Sequence, residues 1–280
     1  MNKLYITIAL ELLNVAFFMQ NITFAAECAS KTESSDENEI YRLYFYPEEA
    51  KQAVVVMGDA LAIAQKHAKL TKDYKLYSKK DGATLHFKKV NDTELGRLEF
   101  KIHNPNSFDG IVNMLLDSNG PKNFYRLFIE GDVSRIYDDH LVIIQHNYKS
   151  RVPGWERHYH ILANLIELSE TEVAIVFVSP NMNGYNSRTH KKHVNPIVES
   201  ANSFQPDVKF RENVVNWRVS KIYVNLVAFF IKKKAKYVKI THVNSIDLNF
   251  PSCVTDNSIK KITANIILDI VKLRDIFKKK

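Results

Sequence analysis

The sequence predicts a single α+β domain in which a helix, a group of strands, a second helix, further strands and a final helix follow one another. Helical periodicity lies near both ends of the chain, and short runs of alternating apolar and polar residues lie between them. There is no internal repeat and no second zone of composition. Of the 280 residues 45% are hydrophobic and 11% aromatic, which supports a folded core and excludes global disorder.

The first helix is predicted to begin at Pro47, in the stretch PEEAKQAVVVMGDALAIAQKHAKL. Proline suits the first helical position, and Glu48 and Glu49 in the first turn favour the helix dipole. Three alternating runs follow, YKLYSKK, ATLHFKKV and RLEFKIH, and the turn pair Asp81-Gly82 separates the first two. This pattern predicts three sequential antiparallel strands.

The second helix is predicted in SFDGIVNMLLDSNG, with Ser107 as its N-cap and Gly120 just beyond its end. Longer strands are predicted after it, in SRIYDDHLVIIQHNYKS, RHYHILANLIELS, EVAIVFVSP, KIYVNLVAFFIKKK and YVKITHVNSIDL. The polar segment 181–212 is predicted to form a long surface loop.

The central strands are apolar on both faces. Residues 141–148 and 158–168 each place mainly hydrophobic side chains at odd as well as even positions. An antiparallel strand with one wet face would alternate instead. These strands therefore need cover on both sides, from helices or from a sheet that wraps an interior.

The closing helix, predicted over residues 257–280, has a wide apolar stripe. At about 100° per residue, six side chains fall within about 60° of one line; they are Ile259, Ile262, Ile266, Ile270, Leu273 and Phe277. Ile267 and Val271 widen the stripe on one side. The opposite face mixes acids with lysines, unlike a uniformly basic membrane-binding helix. The sequence therefore predicts that this helix packs inside the domain.

The N-terminal residues predict secretion. Residues 1–25 contain an apolar run followed by small residues, as in a signal peptide. A membrane anchor is the rival, but Glu11 interrupts the run, which is shorter than the roughly 18 to 20 residues of a span. Residues 26–46 are predicted to be a disordered lead-in, and residues 47–280 the folded domain. Cys28 and Cys253 are expected to be free thiols, with a bridge between them as the alternative.

Charge and motifs narrow the function class. A net charge of +8 fits nucleic acid and anionic lipid equally well, and the basic run 232–236 is expected to be a solvated hairpin turn. The sequence has no glycine-rich phosphate loop and no nucleophile elbow. The pairs His158/His160 and His190/His193 lack further metal ligands near them in sequence. We therefore expect a non-enzymatic protein without catalytic residues, metal, cofactor or nucleic-acid partner.

Several strings resemble START (StAR-related lipid transfer) domains. ERHYHILANLIEL resembles a characteristic strand of the family, with Arg157 at its arginine and His158 in place of its acid. ITHVNSIDLNFP resembles the last strand and its turn, and SFDGIVNMLLDSNG the helix before the central strands. Within the family, LVIIQHNYKS, IVESANSF and KIYVNLVAFFIKKKAKYVKITHVNSIDL resemble the malaria-parasite fam-a proteins. The resemblance covers residues 47–277.

This resemblance implies a helix-grip (START-like) fold, in which a curved antiparallel sheet wraps the long C-terminal helix and leaves a tunnel for one lipid. It implies a monomeric carrier of a phospholipid, phosphatidylcholine, in transient contact with membranes. It also implies secretion by a Plasmodium parasite, into the parasitophorous vacuole or the host erythrocyte. The alternative is an exported host-interaction or antigenic protein that has the same fold but a filled core and no lipid transfer.

Twelve residues are candidates to line the tunnel: Ile143, Gln145, Tyr159, Ile161, Ala163, Leu165, Ile175, Phe177, Ile262, Ile266, Ile270 and Leu273. An aromatic cage for a choline headgroup from Tyr159, Trp155, Trp217 and Tyr223 is a second hypothesis, with ordinary packing as its alternative. Several START domains carry a buried carboxylate and arginine at places that fall near Gln145 and at Ala163. A charge pair for a sterol hydroxyl is therefore not predicted.

Overall fold

The computed structural model describes residues 46–150, 156–182, 192–208 and 219–278. Its elements, in chain order, are α1 (Pro47–Ala68), β1 (Lys75–Lys80), β2 (Ala83–Val90), β3 (Thr93–Ile102), α2 (Phe108–Leu116), β4 (Phe128–Ile136), β5 (Leu141–Lys149), β6 (Glu156–Ser169), β7 (Glu172–Val178), β8 (Val219–Lys221), β9 (Tyr223–Lys233), β10 (Val238–Asp247), α3 (Asp256–Asp269) and α4 (Leu273–Ile276). The predicted signal peptide, most of the lead-in and Cys28 lie outside these residues. Cys253 is an exposed free thiol.

Ten strands form one sheet in the order β1-β2-β3-β10-β9-β7-β6-β5-β4, with β8 beside β6. The pairings along this order are antiparallel, as predicted, and the short β8 is parallel to β6. None of the described helices is long and apolar enough to span a membrane.

The predicted strand SRIYDDHLVIIQHNYKS is two strands, β4 and β5, which pair as a hairpin. The chain reverses at Asp138, whose carboxylate accepts a hydrogen bond from the His140 N–H at 2.7 Å. An aspartate that binds the backbone two residues ahead initiates a turn, and here it interrupts a continuous strand pattern.

Two further hairpins have turns with positive φ at both central residues. Asp81 (φ 49°) and Gly82 (φ 71°) join β1 to β2, where a turn was predicted. Asn91 (φ 46°) and Asp92 (φ 60°) join β2 to β3. Such type I′ turns match the twist of paired strands, and glycine, asparagine and aspartate are the residues that tolerate them.

The sheet buries both of its faces, as the apolar central strands require. The face toward the C-terminal helix, called here the inner face, carries a cluster that includes Leu85, Phe100, Ile144, Ile161, Ile175 and Ile240. The face toward α1, called the outer face, carries a second cluster that includes Leu95, Ile143, Leu162, Val176, Leu226 and Val243. α1 packs on the outer face through Ala53, Met57, Ala60 and Ala64.

The segment predicted as a surface loop also covers the outer face. Within its described part, Val198, Ala201, Phe204 and Val208 are buried members of the outer cluster. The Asn195 side chain holds this segment in place, because its amide donates to the Asn225 carbonyl of β9 at 2.9 Å. The described part is a loop, as predicted, with one 3₁₀ turn at Glu199–Asn202. The prediction missed that a few apolar residues at irregular spacing bury themselves against the sheet and anchor this polar segment.

The C-terminal helix consists of α3, a 3₁₀ turn over Ile270–Lys272, and α4. Its buried side chains are Thr263, Ala264, Ile267, Ile270 and Leu273. The predicted stripe is therefore wrong at Ile259, Ile262 and Ile266, which are only half-buried and belong to neither cluster. The buried stripe is centred about one residue further along, because the small side chains of Thr263 and Ala264 let the helix lie close to the sheet.

Gly96 of β3 marks the closest approach of this helix to the sheet. A Cβ atom on Gly96 would lie 2.5 Å from Ile267 Cδ1 and 3.1 Å from Phe87 Cε1. Real Cβ atoms do not approach other atoms so closely, so a side chain here must displace the helix or its isoleucine.

We expect Gly96→Val to lower the free energy of unfolding by about 1–3 kcal/mol, as overpacked cores do. In that background Ile267→Ala should cost less than it does alone, because the smaller side chain relieves the clash. Urea denaturation of the two single variants and the double variant measures this coupling. Strict additivity would show that Gly96 does not set the distance between helix and sheet.

Candidate functional site

Half-buried hydrophobic side chains pack against the inner cluster on the inner face. They come from the end of α2, from the segment between α2 and β4, from β5 and β6, and from the C-terminal helix; they are Met114, Leu116, Tyr125, Val142, Tyr159, Leu165, Leu268 and Val271. β6 has β5 on one side and β7 on the other. Because strands pair with both edges of β6, its side chains Tyr159 and Leu165 are accessible only where the helices do not cover the inner face. We call this set the inner groove.

Tyr148, Tyr159 and His146 form a hydrogen-bonded network beside the inner groove, and the Tyr125 ring packs against it. The Tyr159 hydroxyl lies 2.8 Å from the Tyr148 hydroxyl and 3.1 Å from His146 Nδ1. The rings of Tyr148 and Tyr159 stack at 5.5 Å, and the Tyr125 ring meets that of Tyr148 edge-on at 6.5 Å. These aromatic groups combine broad apolar faces with hydroxyls that can hydrogen-bond.

Burial keeps this network uncharged at neutral pH. It raises the pKa of the Tyr125, Tyr148 and Tyr159 hydroxyls above their usual value. It also lowers the pKa of His146 to about 4. Neutral hydroxyls and a neutral imidazole can each donate and accept hydrogen bonds, so the network suits a neutral or zwitterionic polar group rather than a bare charge.

The loop after α2 is held firmly against the strand beside this network. The Asn119 amide donates to the Gly131 carbonyl and accepts from the Gly131 N–H, each at 3.0 Å. A Cβ on Gly131 would lie 1.9 Å from the Ser118 carbonyl oxygen and 2.8 Å from His146 Cδ2. Only glycine allows this approach, so Gly131 fixes the loop next to His146.

A second polar pair on the inner face was not predicted from the sequence. His242 is fully buried and stacks on Phe229 at 4.3 Å, and its Nδ1 lies 3.1 Å from the Ala228 carbonyl oxygen. Asn244 lies beside it, with Nδ2 3.3 Å from His242 Nε2. In the sequence, this pair could have been found from its spacing: His242 and Asn244 follow Ile240 at every second position of β10, and these even positions face inward.

Most predicted tunnel residues lie on the inner face. Six belong to the inner cluster: Ile161, Ala163, Ile175, Phe177, Ile270 and Leu273. Tyr159 and Leu165 lie in the inner groove.

The placement of Ile143 and Gln145 beside these residues is wrong. The register pairs Ile144 with Ile161 and Ile143 with Leu162, so Ile143 belongs to the outer cluster. Gln145 alternates with Ile144 and is on the outer side as well. Odd positions in β6 thus share a face with even positions in β5, a relation that the register of the hairpin decides.

Of the four residues of the predicted aromatic cage, Trp155 and Trp217 lie outside the described residues, and Tyr159 and Tyr223 both line one small pocket. Tyr223 stacks on His193 with ring centroids 4.0 Å apart, and His193 Nδ1 lies 3.4 Å from an Asp247 carboxylate oxygen. The Tyr159 ring also contacts the rings of Tyr148 and His146.

The pair His158/His160 borders a small pocket of about 10 Å³, the volume of roughly one water molecule. Ser179, Met182, Lys221 and Tyr223 are among its other lining residues. Burial lowers the pKa of His158 to about 4, and burial together with the neighbouring His158 and Lys221 lowers the pKa of His160 to about 3. Within the described ranges no three His, Cys, Asp or Glu side chains are grouped to hold a metal.

Solved structures similar to this fold include START (StAR-related lipid transfer) proteins. Human STARD10 aligns with a TM-score of 0.56 at 11% identity, over 76% of this chain and 78% of that one. The human StarD13 (DLC2) lipid transfer and protein localization domain gives 0.55 at 16%, over 79% and 96%. Human StAR-related lipid transfer protein 5 gives 0.55 at 10%, over 77% and 92%.

The comparisons establish the fold class. A large antiparallel sheet that packs a C-terminal helix on its inner face is the helix-grip arrangement of START domains, as predicted. No protein-family model matches the sequence, and no curated protein matches it either. At 16% identity and below, the likeness extends to the fold and not to a ligand.

Proposed function

We propose that this protein is a non-enzymatic lipid carrier, which holds one phospholipid between the inner face and the C-terminal helix and moves it between membranes. The observation that carries the proposal is the inner groove: half-buried hydrophobic side chains under the gripped helix of a START-like fold. Two of the similar human proteins are described as lipid transfer proteins or domains.

The inner groove offers contacts for the acyl chains of a phospholipid and for its headgroup. Acyl chains that replace water along its apolar side chains gain about 0.8 kcal/mol per buried CH₂ group. Tyr125, Tyr148 and Tyr159 offer aromatic faces that attract a choline cation, and their hydroxyls suit the polar part of a headgroup. Phosphatidylcholine, a zwitterion, fits such an uncharged network, and we propose it as the ligand.

Uptake of a lipid requires the C-terminal helix to move. The space between this helix and the sheet is filled by fully buried side chains such as Ile267 and Ile270 of the helix and Ile175 of β7, whereas a pocket for a ligand of this kind has a volume on the order of 300–1,000 Å³. The acyl chains can therefore enter only if the helix is displaced from the sheet, so that apolar contacts of the helix are exchanged for contacts with the lipid.

An ion pair and two hydrogen bonds near the ends of the helix must break in such a movement. Lys260 pairs with Glu94 at 3.0 Å, and the Lys272 ammonium donates to the Phe124 carbonyl at 3.2 Å. Arg274 donates to the Asp81 carbonyl at 2.5 Å. Partly exposed ion pairs contribute about 1 kcal/mol or less. Apolar contacts, which acyl chains can replace, therefore hold most of the helix.

The start of the chain and its resemblances support the remainder of the proposal. The signal peptide predicted in residues 1–25 supports a secreted carrier, and the fam-a-like strings support a parasite protein that acts in the parasitophorous vacuole or the host erythrocyte. We propose that it acts as a monomer in transient contact with membranes. The rival function, a host-interaction protein with a filled core, is favoured by the many fully buried side chains of the inner cluster.

A groove-filling substitution tests the carrier function. We expect Leu165→Trp to reduce transfer of fluorescent phosphatidylcholine between vesicles at least about tenfold, because the indole occupies ligand space; stability should change by less than about 1 kcal/mol. The matched control is Ile166→Trp, the next residue of β6, which is also half-buried but packs against the outer cluster. Equal transfer by both variants would contradict the proposal.

A further inference from the structure

One edge of the sheet is strongly basic. Residues 66–89, which span the end of α1, β1 and β2, contain eight lysines and two aspartates, a net charge of +6 against +8 for the whole chain. One of the two aspartates, Asp73, already pairs with Lys88 at 3.0 Å. A surface of this kind attracts anions over about a Debye length, roughly 8–10 Å at physiological salt.

Large hydrophobic side chains are exposed within the same edge. Leu76 is 58% exposed, Leu70 52% and Tyr77 44%. Surface hydrophobic residues that occur singly need no explanation, but three of them are interleaved with lysines between positions 70 and 77, which makes this short exposed stretch amphiphilic. Together with Lys69, Lys72, Lys75, Lys79 and Lys80, which are all exposed, they define the β1 edge, residues 69–80.

β1 carries lysines on both faces of the sheet, next to an unpaired strand edge. β1 is the outermost strand of the sheet, so its outer backbone edge has no strand beside it among the described residues. Lys75 and Lys80 pair with inner-face residues Phe87 and Ala83, whereas Leu76 pairs with His86 on the other side. A bulge at Tyr77 turns its ring edge-on to Phe87 at 5.3 Å. Lysines therefore flank the apolar tips on both sides.

We propose that the β1 edge docks on the surface of an anionic phospholipid membrane. Leucine and tyrosine tips enter the headgroup boundary, where tyrosine is favoured, while the lysines contact lipid phosphates and carboxylates. Phosphate binding along a nucleic acid would leave the two leucines without a role. Pairing of two β1 edges would bring like charges together, and edge lysines oppose such pairing. This docking role rests on the proposed function, since a carrier must reach a membrane.

Vesicle binding by the intact chain tests the docking edge. The triple variant Lys75→Glu/Lys79→Glu/Lys80→Glu should bind phosphatidylserine-containing vesicles about 100-fold more weakly, since each lysine near an anionic surface contributes about a factor of five. The matched control reverses three exposed lysines of the β9–β10 hairpin, as Lys233→Glu/Lys234→Glu/Lys236→Glu, with the same change of net charge. The control should lose less than about tenfold. Leu70→Ser/Leu76→Ser should also weaken binding, and should do so at high salt, where the lysines contribute least.

Equal losses in the two triple variants would overturn the assignment to β1, as would unchanged binding by both leucine and lysine variants of the edge. Binding to duplex DNA but not to anionic vesicles would assign the edge to nucleic acid instead. Lipid bound by each purified variant is measured in parallel. A chain that docks through β1 yet holds no lipid contradicts the carrier function alone, and a lipid-loaded chain that docks elsewhere contradicts this inference alone.

Discussion

The free energy of unfolding should fall steeply as the pH is lowered from 6.5 toward 4. Five of the described histidines are at most 5% exposed, and burial is the main cause that lowers the pKa of each in the folded state: His67, His146 and His158 to about 4, and His160 and His242 to about 3. An unfolded chain has ordinary histidines with a pKa near 6.5, so it binds more protons than the folded chain in this window, and protonation favours unfolding.

The expected size of the effect is large. One pKa unit corresponds to about 1.4 kcal/mol, so at pH 5 each such histidine costs about 2 kcal/mol relative to neutral pH. Several together approach the total stability of an ordinary domain, about 5–15 kcal/mol. The stability contributed by the neutral histidines is fully present well above pH 6.5 and is lost as the pH falls toward the folded-state pKa values. Urea denaturation at pH 7.5, 6 and 5 measures the slope.

A single substitution identifies the source of this pH dependence. His158 is buried, and neither of its ring nitrogens has a hydrogen-bond partner among the described residues. His158→Leu should therefore flatten the dependence of stability on pH by about one proton and raise stability at pH 5 relative to the parent chain. The control is His140→Leu, at an exposed position in the β4–β5 turn. A stability that is unchanged between pH 7.5 and 5 would contradict the expectation.

Aspartate at Ile270 should be far more damaging than aspartate at Ile266. Ile270 is fully buried in the inner cluster, so Ile270→Asp places a carboxylate among apolar side chains without a partner, at a cost of at least about 4 kcal/mol. Ile266, one helical turn earlier, is half-buried and outside both clusters, and Ile266→Asp should cost about 1 kcal/mol or less.

Thermal unfolding followed by circular dichroism compares the two variants. The substitution is the same in both, and both sites lie in the C-terminal helix, so differences in helix propensity nearly cancel. Equal destabilisation by the two would mean that the helix presents the stripe predicted from its periodicity, which includes Ile266, rather than the one centred on Ile267.

The elements of this fold follow largely from local sequence signals. Pro47 with its two glutamates marks the start of α1, and the pair Asp81-Gly82 marks the first hairpin, because both express backbone preferences of the residues themselves. The reversal at Asp138 was missed since apolar residues on both sides of it continue the strand pattern.

The candidate site was harder to predict because it depends on relations between elements. Periodicity gives each strand two faces, but only the register of the β5–β6 hairpin decides that Ile144, not Ile143, shares a face with Ile161. The rotation of the C-terminal helix similarly depends on where a close approach is sterically allowed, at Gly96. The contact of His146 with Tyr159 is a consequence of that same register.

The most direct test of the carrier function is the lipid content of the purified protein. The chain is expressed in a host that contains phosphatidylcholine, purified without detergent and extracted for mass spectrometry, alongside the Leu165→Trp and Ile166→Trp variants. We expect close to one phospholipid per protein molecule, enriched in phosphatidylcholine, for the parent chain and for Ile166→Trp, and a marked loss for Leu165→Trp. A folded parent chain that retains no lipid and takes up none from vesicles would contradict the carrier function.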